Sequence, residues 1–131
     1  MPPRSPIGPS LFEGRLSPGV IVLVATGWSD HWGTDAYLTH PFLTAEAAEL
    51  LIASGVRTVG IDALSVDPTP AEEFPAHRIL CGAHAVIAEN LTGLAAVLDA
   101  QEAGEPIEVS LLPIRLSQAD GAPVRAIARI G

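Results

Sequence analysis

The stretch VIVLVA, Val20 to Ala25, decides the fold of this chain. It is a continuous run of β-branched and aliphatic residues, bounded by Gly19 on one side and by Thr26 and Gly27 on the other. Such a run is typical of a strand that is buried on both faces. We therefore predict a strand here, placed centrally in its sheet.

A helix and a second strand follow at the spacing of a parallel crossover. Thr44 is the expected N-cap of the segment TAEAAELLIASG, Gly55 is its expected C-terminal stop, and VRTVGID, Val56 to Asp62, has the composition of another buried strand. A strand, a helix and a strand in this order form a right-handed crossover with parallel strands. The sequence therefore predicts an α/β domain.

The later elements are shorter. Pro75 suits the first turn of a helix that ends near His84, and a strand over Ala85 to Ala88 then leads to Glu89. After a mixed helical and loop segment over residues 90–104, two strands are predicted at Ile107 to Arg115 and at Pro123 to Ile130. Because the apolar residues of the last strand do not alternate cleanly, we expect a bulge or cover on both of its faces.

One domain is expected from a chain of 131 residues that is 48% hydrophobic. Residues 1–18 contain five prolines, each of which fixes its own φ and keeps the preceding residue out of a helix. We predict that residues 1–18 form a proline-rich arm or linker and that residues 19–131 form the domain.

The charge balance excludes several classes of partner. The formal net charge is −8, from 15 acidic residues and 7 arginines without any lysine, so no cationic surface is available for nucleic acid or anionic membrane. Cys81 is the only cysteine, which excludes an intramolecular disulfide. The first ten residues lack the apolar segment of a signal peptide, and we expect a cytoplasmic location.

Aromatic residues concentrate in the loop after the first strand. The segment GWSDHWGTDAYLTHPFL holds Trp28, Trp32 and Tyr37, and amphipathic rings of this kind gather where a pocket is lined. We predict that they line a substrate pocket. The alternative is that they only cover an edge of the core.

Polar residues follow the second strand of the crossover. In DALSVDPTP, the side chains of Asp62, Ser65 and Asp67 should lie at the carboxyl end of the sheet, where ligands of α/β proteins bind. The alternative is that they form turns beside the neighbouring prolines.

The segment FPAHRILCGAHAVIAENL, Phe74 to Leu91, places His77 twelve residues before Glu89. An imidazole and a carboxylate brought together can provide two ligands of a metal site, although two such residues can also form a simple ion pair. Cys81 could act as a nucleophile, but a lone cysteine on an apolar helix is more typically a small buried hydrophobe. No G-x-S-x-G, P-loop, dinucleotide or H-E-x-x-H motif is present.

Four segments, in order, resemble the later part of the cyclase family of metal-dependent hydrolases, which includes bacterial kynurenine formamidase and isatin hydrolase: TGWSDHWGTDAYL, AAELLIASGVRTVGIDALSVDP, FPAHRILCGAHAVIAENL and LLPIRLSQADGAPVRAIA. The resemblance implies part of a swivelling β/β/α fold, with a mixed sheet and flanking helices. It also implies hydrolysis of an amide, formamide or lactam with a bound zinc or manganese ion, as in the arylformamidase step of tryptophan catabolism.

By position in the matching segment, the resemblance assigns His77 and Glu89 as the last two metal ligands. The family's upstream HxGTHxD signature, with its other ligands and its proton-transfer histidine, is absent from these 131 residues. The segment HWGTD at 31–35 mimics part of it but occupies a later place in the family order, so we assign no ligand there.

Two functions remain open. The chain is either the later, truncated portion of a metal-dependent hydrolase, inactive without a partner chain that supplies the missing ligands, or a non-catalytic binding or assembly module. With two ligands alone, we expect this chain to bind a metal weakly or not at all. For the second function, we expect a homodimer or another oligomer formed through the surface that the missing segment leaves uncovered.

Overall fold

A computed structural model describes all residues from 1 to 131. Three α-helices are present, α1 (Ala45–Ala53), α2 (Pro75–Gly82) and α3 (Leu94–Glu102). Seven strands accompany them: β1 (Pro6–Ile7), β2 (Ile21–Val24), β3 (Phe42–Leu43), β4 (Thr58–Ile61), β5 (Val86–Ala88), β6 (Ile107–Pro113) and β7 (Val124–Ile130). None of the helices has the length and hydrophobicity needed to span a bilayer.

The α/β class is confirmed, but the single mixed sheet that we expected is divided into three smaller ones. Strands β2, β4 and β5 form a parallel sheet in that order, β1 pairs in parallel with β3, and β6 pairs antiparallel with β7. The predicted parallel crossover from β2 through α1 to β4 is present.

The expectation that Val20 to Ala25 forms the central strand is wrong. Strand β2 lies at the edge of its sheet and β4 lies in the middle. Burial follows this order, because three of the four β4 residues are fully buried whereas only Val24 is buried in β2. A run of aliphatic residues shows that a strand faces apolar neighbours, but it does not show whether both edges are paired.

Helix α1 begins as predicted at the Thr44 cap, whose Oγ1 accepts a hydrogen bond from the backbone N–H of Ala47 (3.2 Å). Its inner side buries Ala47, Ala48 and Leu51. The chain leaves the helix through Gly55 at φ 83°, a left-handed conformation that favours glycine. The cap and the glycine therefore fix both ends of the crossover helix.

The chain divides into two compact units, residues 1–92 and residues 93–131. Within the first unit, the proline-rich segment 1–18 contributes Ile7 and Phe12 to the hydrophobic core. The segment contains strand β1 and a single turn of 3₁₀ helix at Pro9–Leu11, which begins at a proline, and its apolar residues pack into the core of that unit.

The second unit consists of α3 and the β6–β7 hairpin. Every residue of β6 from Ile107 to Pro113 has a partner in β7 without interruption, so the expected bulge is wrong. The irregular apolar pattern has another cause. Val124 and Ile130 share one face of β7, whereas Ile127 lies on the opposite face with Arg125 and Arg129. Most β7 residues are exposed, so cover on both faces is also wrong.

Candidate functional site

Three side chains meet in a row at the carboxyl end of the parallel sheet: Asp67, His77 and Glu89. Nδ1 of His77 lies 2.7 Å from Oδ2 of Asp67, and Nε2 on the other side of the ring lies 3.3 Å from Oε1 of Glu89. The fold thus brings together His77 and Glu89, which are twelve residues apart in sequence, and adds Asp67 on the far side of the imidazole.

Asp67 is held by the start of α2. Its Oδ1 accepts a hydrogen bond from the backbone N–H of Ala76 (2.9 Å) and its Oδ2 accepts one from that of His77 (2.9 Å). These N–H groups belong to the first helical turn and have no partner within the helix. The carboxylate is completely buried and also faces the positive end of the helix dipole. Ser65 forms a turn, since its Oγ accepts a hydrogen bond from the N–H of Asp67 (3.1 Å).

Glu89 is fixed from the other side. It follows β5 directly, and its Oε1 accepts a hydrogen bond from the backbone N–H of Val66 (3.1 Å). The side chains of His77 and Glu89 are 34% and 26% exposed, so solvent reaches both of them, whereas Asp67 is sealed behind the ring. A solute could therefore approach the Nε2 and Oε1 atoms.

The chemistry and spacing of these two atoms suit a metal. Zinc binds imidazole nitrogen and carboxylate oxygen at about 2.0 to 2.2 Å, which places two tetrahedral ligands about 3.4 Å apart. The observed separation of 3.3 Å is close to that value. A tightly held ion ordinarily has three or more protein ligands, and no group of three or more His, Cys, Asp or Glu side chains is arranged to hold one. His77 and Glu89 therefore fit as part of a coordination sphere.

Asp62 organises the aromatic loop. It is buried, its Oδ1 accepts hydrogen bonds from the N–H (2.8 Å) and the hydroxyl (2.6 Å) of Thr26, and its Oδ2 accepts one from the N–H of Gly27 (2.9 Å). The Thr26 hydroxyl oxygen in turn accepts a hydrogen bond from the N–H of Trp28 (3.1 Å). The carboxylate at the end of β4 thus fixes the point where the loop leaves β2.

The three aromatic residues predicted to line a pocket occupy different environments. Trp28 and Tyr37 are buried in the core, and Nε1 of Trp28 donates a hydrogen bond to the carbonyl oxygen of Tyr37 (3.2 Å). Trp32 is 68% exposed and packs edge to face on Tyr37, with ring centroids 5.2 Å apart. The Tyr37 hydroxyl donates to Oδ1 of Asn90 (3.0 Å).

Burial raises the pKa of the Tyr37 phenol, and the negative charge of Asp62 adds to that increase. Both causes disfavour the phenolate. Tyr37 is therefore a neutral hydrogen-bond donor to Asn90, the residue that directly follows Glu89.

Other candidates lie elsewhere in the first unit. His40 is buried, with its ring nitrogens 2.8 Å from the Pro41 carbonyl oxygen and 2.9 Å from Oγ1 of Thr69. His31 packs against Trp28 at 4.5 Å between centroids. Cys81 is exposed, so the view of it as a buried hydrophobe is wrong. Sequence reasoning missed Asn90, whose only signal was its position beside Glu89.

Comparison with known proteins gives this fold a family context. A family model described as "Putative cyclase" matches residues 12–68. Kynurenine formamidase of Bacillus cytotoxicus is 45% identical over 89 residues, which cover 68% of this chain and 40% of that protein. Kynurenine formamidase of Bordetella avium is 36% identical over 110 residues, covering 84% of this chain and 48% of that protein. The chain thus spans less than half of the length of these curated relatives.

Solved structures agree. The structure of a predicted metal-dependent hydrolase from Bacillus stearothermophilus matches with a TM-score of 0.74 and 27% identity, over 93% of this chain and 56% of that one. An isatin hydrolase bound to the product analogue thioisatinate matches with a TM-score of 0.83 and 22% identity, over 96% of this chain and 53% of that one. The fold and sequence therefore confirm the resemblance to the cyclase family, and the chain corresponds to part of the length of the proteins that it matches.

Proposed function

We propose that this chain carries part of the active site of a metal-dependent amide or formamide hydrolase, and that His77 and Glu89 are two ligands of its zinc or manganese ion. The observation that supports this most strongly is the 3.3 Å approach of a partly exposed imidazole nitrogen to a partly exposed carboxylate oxygen, at the end of a parallel sheet. Kynurenine formamidases and metal-dependent hydrolases among the similar proteins support the same class of reaction.

In this proposal the ion supplies an acidified water and polarises the carbonyl of the substrate. The residues of this chain would hold the ion and orient its ligand atoms. His77 and Glu89 present one nitrogen and one oxygen, and the N–H of Val66 keeps the Glu89 oxygen in place. The remaining ligands come from outside these 131 residues, either upstream or on a partner chain, in a complete swivelling β/β/α fold.

The aromatic loop is proposed as the wall against which a flat substrate binds. Trp32 offers the exposed ring, while buried Trp28 and Tyr37 support it. An aryl formamide such as N-formylkynurenine, or a lactam, would suit a wall of this kind. Asp62 and Ser65 contribute to the site indirectly, because their side chains accept backbone hydrogen bonds that fix the loops at this edge of the sheet.

The test is hydrolysis of N-formylkynurenine by protein purified without chelator, with metal content measured on the same sample. We expect little turnover from the chain alone, because water activation needs a fully held ion. We expect turnover when a polypeptide that carries an HxGTHxD segment is added, and none from His77→Ala under the same conditions. Complementation that is equally efficient with His77→Ala would refute the assignment.

A second candidate function, a non-catalytic module that assembles with a second copy, is favoured by the β6–β7 hairpin. Leu112 and Ile127 are 57% and 53% exposed and share one face of it. We propose that this face packs against a second copy. Light scattering on the double variant Leu112→Thr/Ile127→Thr tests it: the dimer should dissociate at a concentration where the unmodified chain stays dimeric. A monomeric unmodified chain contradicts this function.

A further inference from the structure

Asp67 differs from an ordinary capping residue because it also contacts a side chain. Its Oδ2 accepts a hydrogen bond from the backbone N–H of His77 (2.9 Å) and also lies 2.7 Å from Nδ1 of the same residue. The carboxylate is completely buried and its other oxygen is occupied by the N–H of Ala76. The buried Asp67 carboxylate therefore fixes the Nδ1 side of the His77 ring.

The protonation of the ring follows from this contact. An ionised carboxylate only accepts hydrogen bonds, so at 2.7 Å the facing Nδ1 must carry a proton. In a neutral imidazole the lone pair then resides on Nε2. Nε2 lies 3.3 Å from Oε1 of Glu89, and two electron-rich atoms at that separation need a cation or a proton between them.

We infer that Asp67 is a positioning residue that holds His77 with Nδ1 protonated, so that Nε2 is presented as a metal ligand beside Glu89. This inference rests on the proposed function for the identity of the ion. The protonation of the His77 ring does not depend on the proposed function. If Asp67 were only a helix cap, its removal would weaken α2 and leave the preference between the two ring nitrogens unchanged.

The direct test is the ¹⁵N NMR spectrum of histidine-labelled, metal-free protein at pH 9, in which protonated and unprotonated ring nitrogens give distinct signals. The His77 signals are identified by their loss in His77→Gln. In the unmodified chain we expect a protonated Nδ1. In Asp67→Ala we expect most of the proton population to move to Nε2. An unprotonated Nδ1 in the unmodified chain overturns the inference, and this measurement decides it even if Asp67→Ala does not fold.

Asp62→Asn is the matched control. Asp62 is also a buried carboxylate that accepts backbone hydrogen bonds at the end of the same sheet, but its partners are Thr26 and Gly27. We expect this variant to lose stability and to keep the His77 signals unchanged. If Asp62→Asn shifts the proton population of His77 from Nδ1 to Nε2 as much as Asp67→Ala does, the shift reflects a general loss of structure and the inference is wrong.

Zinc titration separates this inference from the proposed function. Removing the carboxylate that orients a metal-binding histidine typically lowers affinity by about 10-fold to 100-fold. We expect a loss in that range for Asp67→Ala and less than about 3-fold for Asp62→Asn. Equal zinc affinity of Asp67→Ala and the unmodified chain overturns the positioning role. Absence of zinc binding by the unmodified chain overturns the metal proposal, and the ring state of His77 then still decides the role of Asp67.

Discussion

Replacing Asp62 by asparagine tests how the aromatic loop is held. The best orientation of the amide keeps its oxygen on the two Thr26 donors and turns its NH₂ toward the N–H of Gly27, so one hydrogen bond to a charged acceptor is lost. Such a bond contributes about 1.5 to 3 kcal/mol. We expect Asp62→Asn to lower the free energy of unfolding by about 2 kcal/mol. Asp62→Ala, which leaves the buried Thr26 donors without acceptors as well, should cost at least about 4 kcal/mol.

Urea unfolding followed by tryptophan fluorescence measures this loss, because buried Trp28 becomes exposed on unfolding whereas Trp32 is already exposed. For a slope of about 2 kcal/mol per molar urea, the midpoint should fall by about 1 M. The matched control is Asp30→Asn, an exposed aspartate of the same loop, which should change stability by less than about 0.5 kcal/mol. If Asp62→Asn and Asp30→Asn have the same midpoint, the proposed anchoring of the loop is wrong.

Two further predictions concern Tyr37 and the glycines. Tyr37 is the only tyrosine, so tyrosinate absorbance reports it alone, and its midpoint should lie above the ordinary value of about 10 and fall in Asp62→Asn. The pKa of Tyr37 is higher in the folded chain than in the unfolded chain, so its contribution to stability is complete below the unfolded pKa and is lost as pH rises through the folded pKa. A titration midpoint at or below that of free tyrosine contradicts this prediction. Gly55→Ala should destabilise by more than about 1 kcal/mol in thermal unfolding, because φ is 83° and a Cβ would lie 2.9 Å from Cβ of Pro18. Gly82→Ala, a helical position with open space, should instead be neutral or stabilise by up to about 1 kcal/mol; equal effects of the two would refute the argument.

Local patterns predicted most of the first unit. The crossover from β2 to β4 follows from two aliphatic runs and a capped helix between them, and the cap at Thr44 lies where the sequence places it. The place of β2 in its sheet could not be predicted, because edge and central strands differ in which backbone groups are paired and not in their composition.

The site was only partly accessible to sequence reasoning. The spacing of His77 and Glu89 in the sequence indicated a pair. The 3.3 Å distance between their side chains depends on how α2 and β5 are placed in the tertiary structure. Asp67 could be placed at the end of β4 but its contact with His77 could not, because it depends on how the start of α2 turns toward the strand end. The contact of Asn90 with Tyr37 spans 53 residues and leaves no local signal.

The most direct measurement of the central claim is the zinc affinity of His77→Ala and Glu89→Gln, determined by competition with a chromogenic chelator. The matched control is His84→Asn, an exposed histidine on the same segment at φ 59°, a conformation that asparagine tolerates. We predict that each site variant loses at least tenfold in affinity, that the double variant loses little more, and that His84→Asn binds like the unmodified chain. Zinc binding that survives in both site variants, or that falls equally in His84→Asn, would contradict the assignment of His77 and Glu89 as ligands.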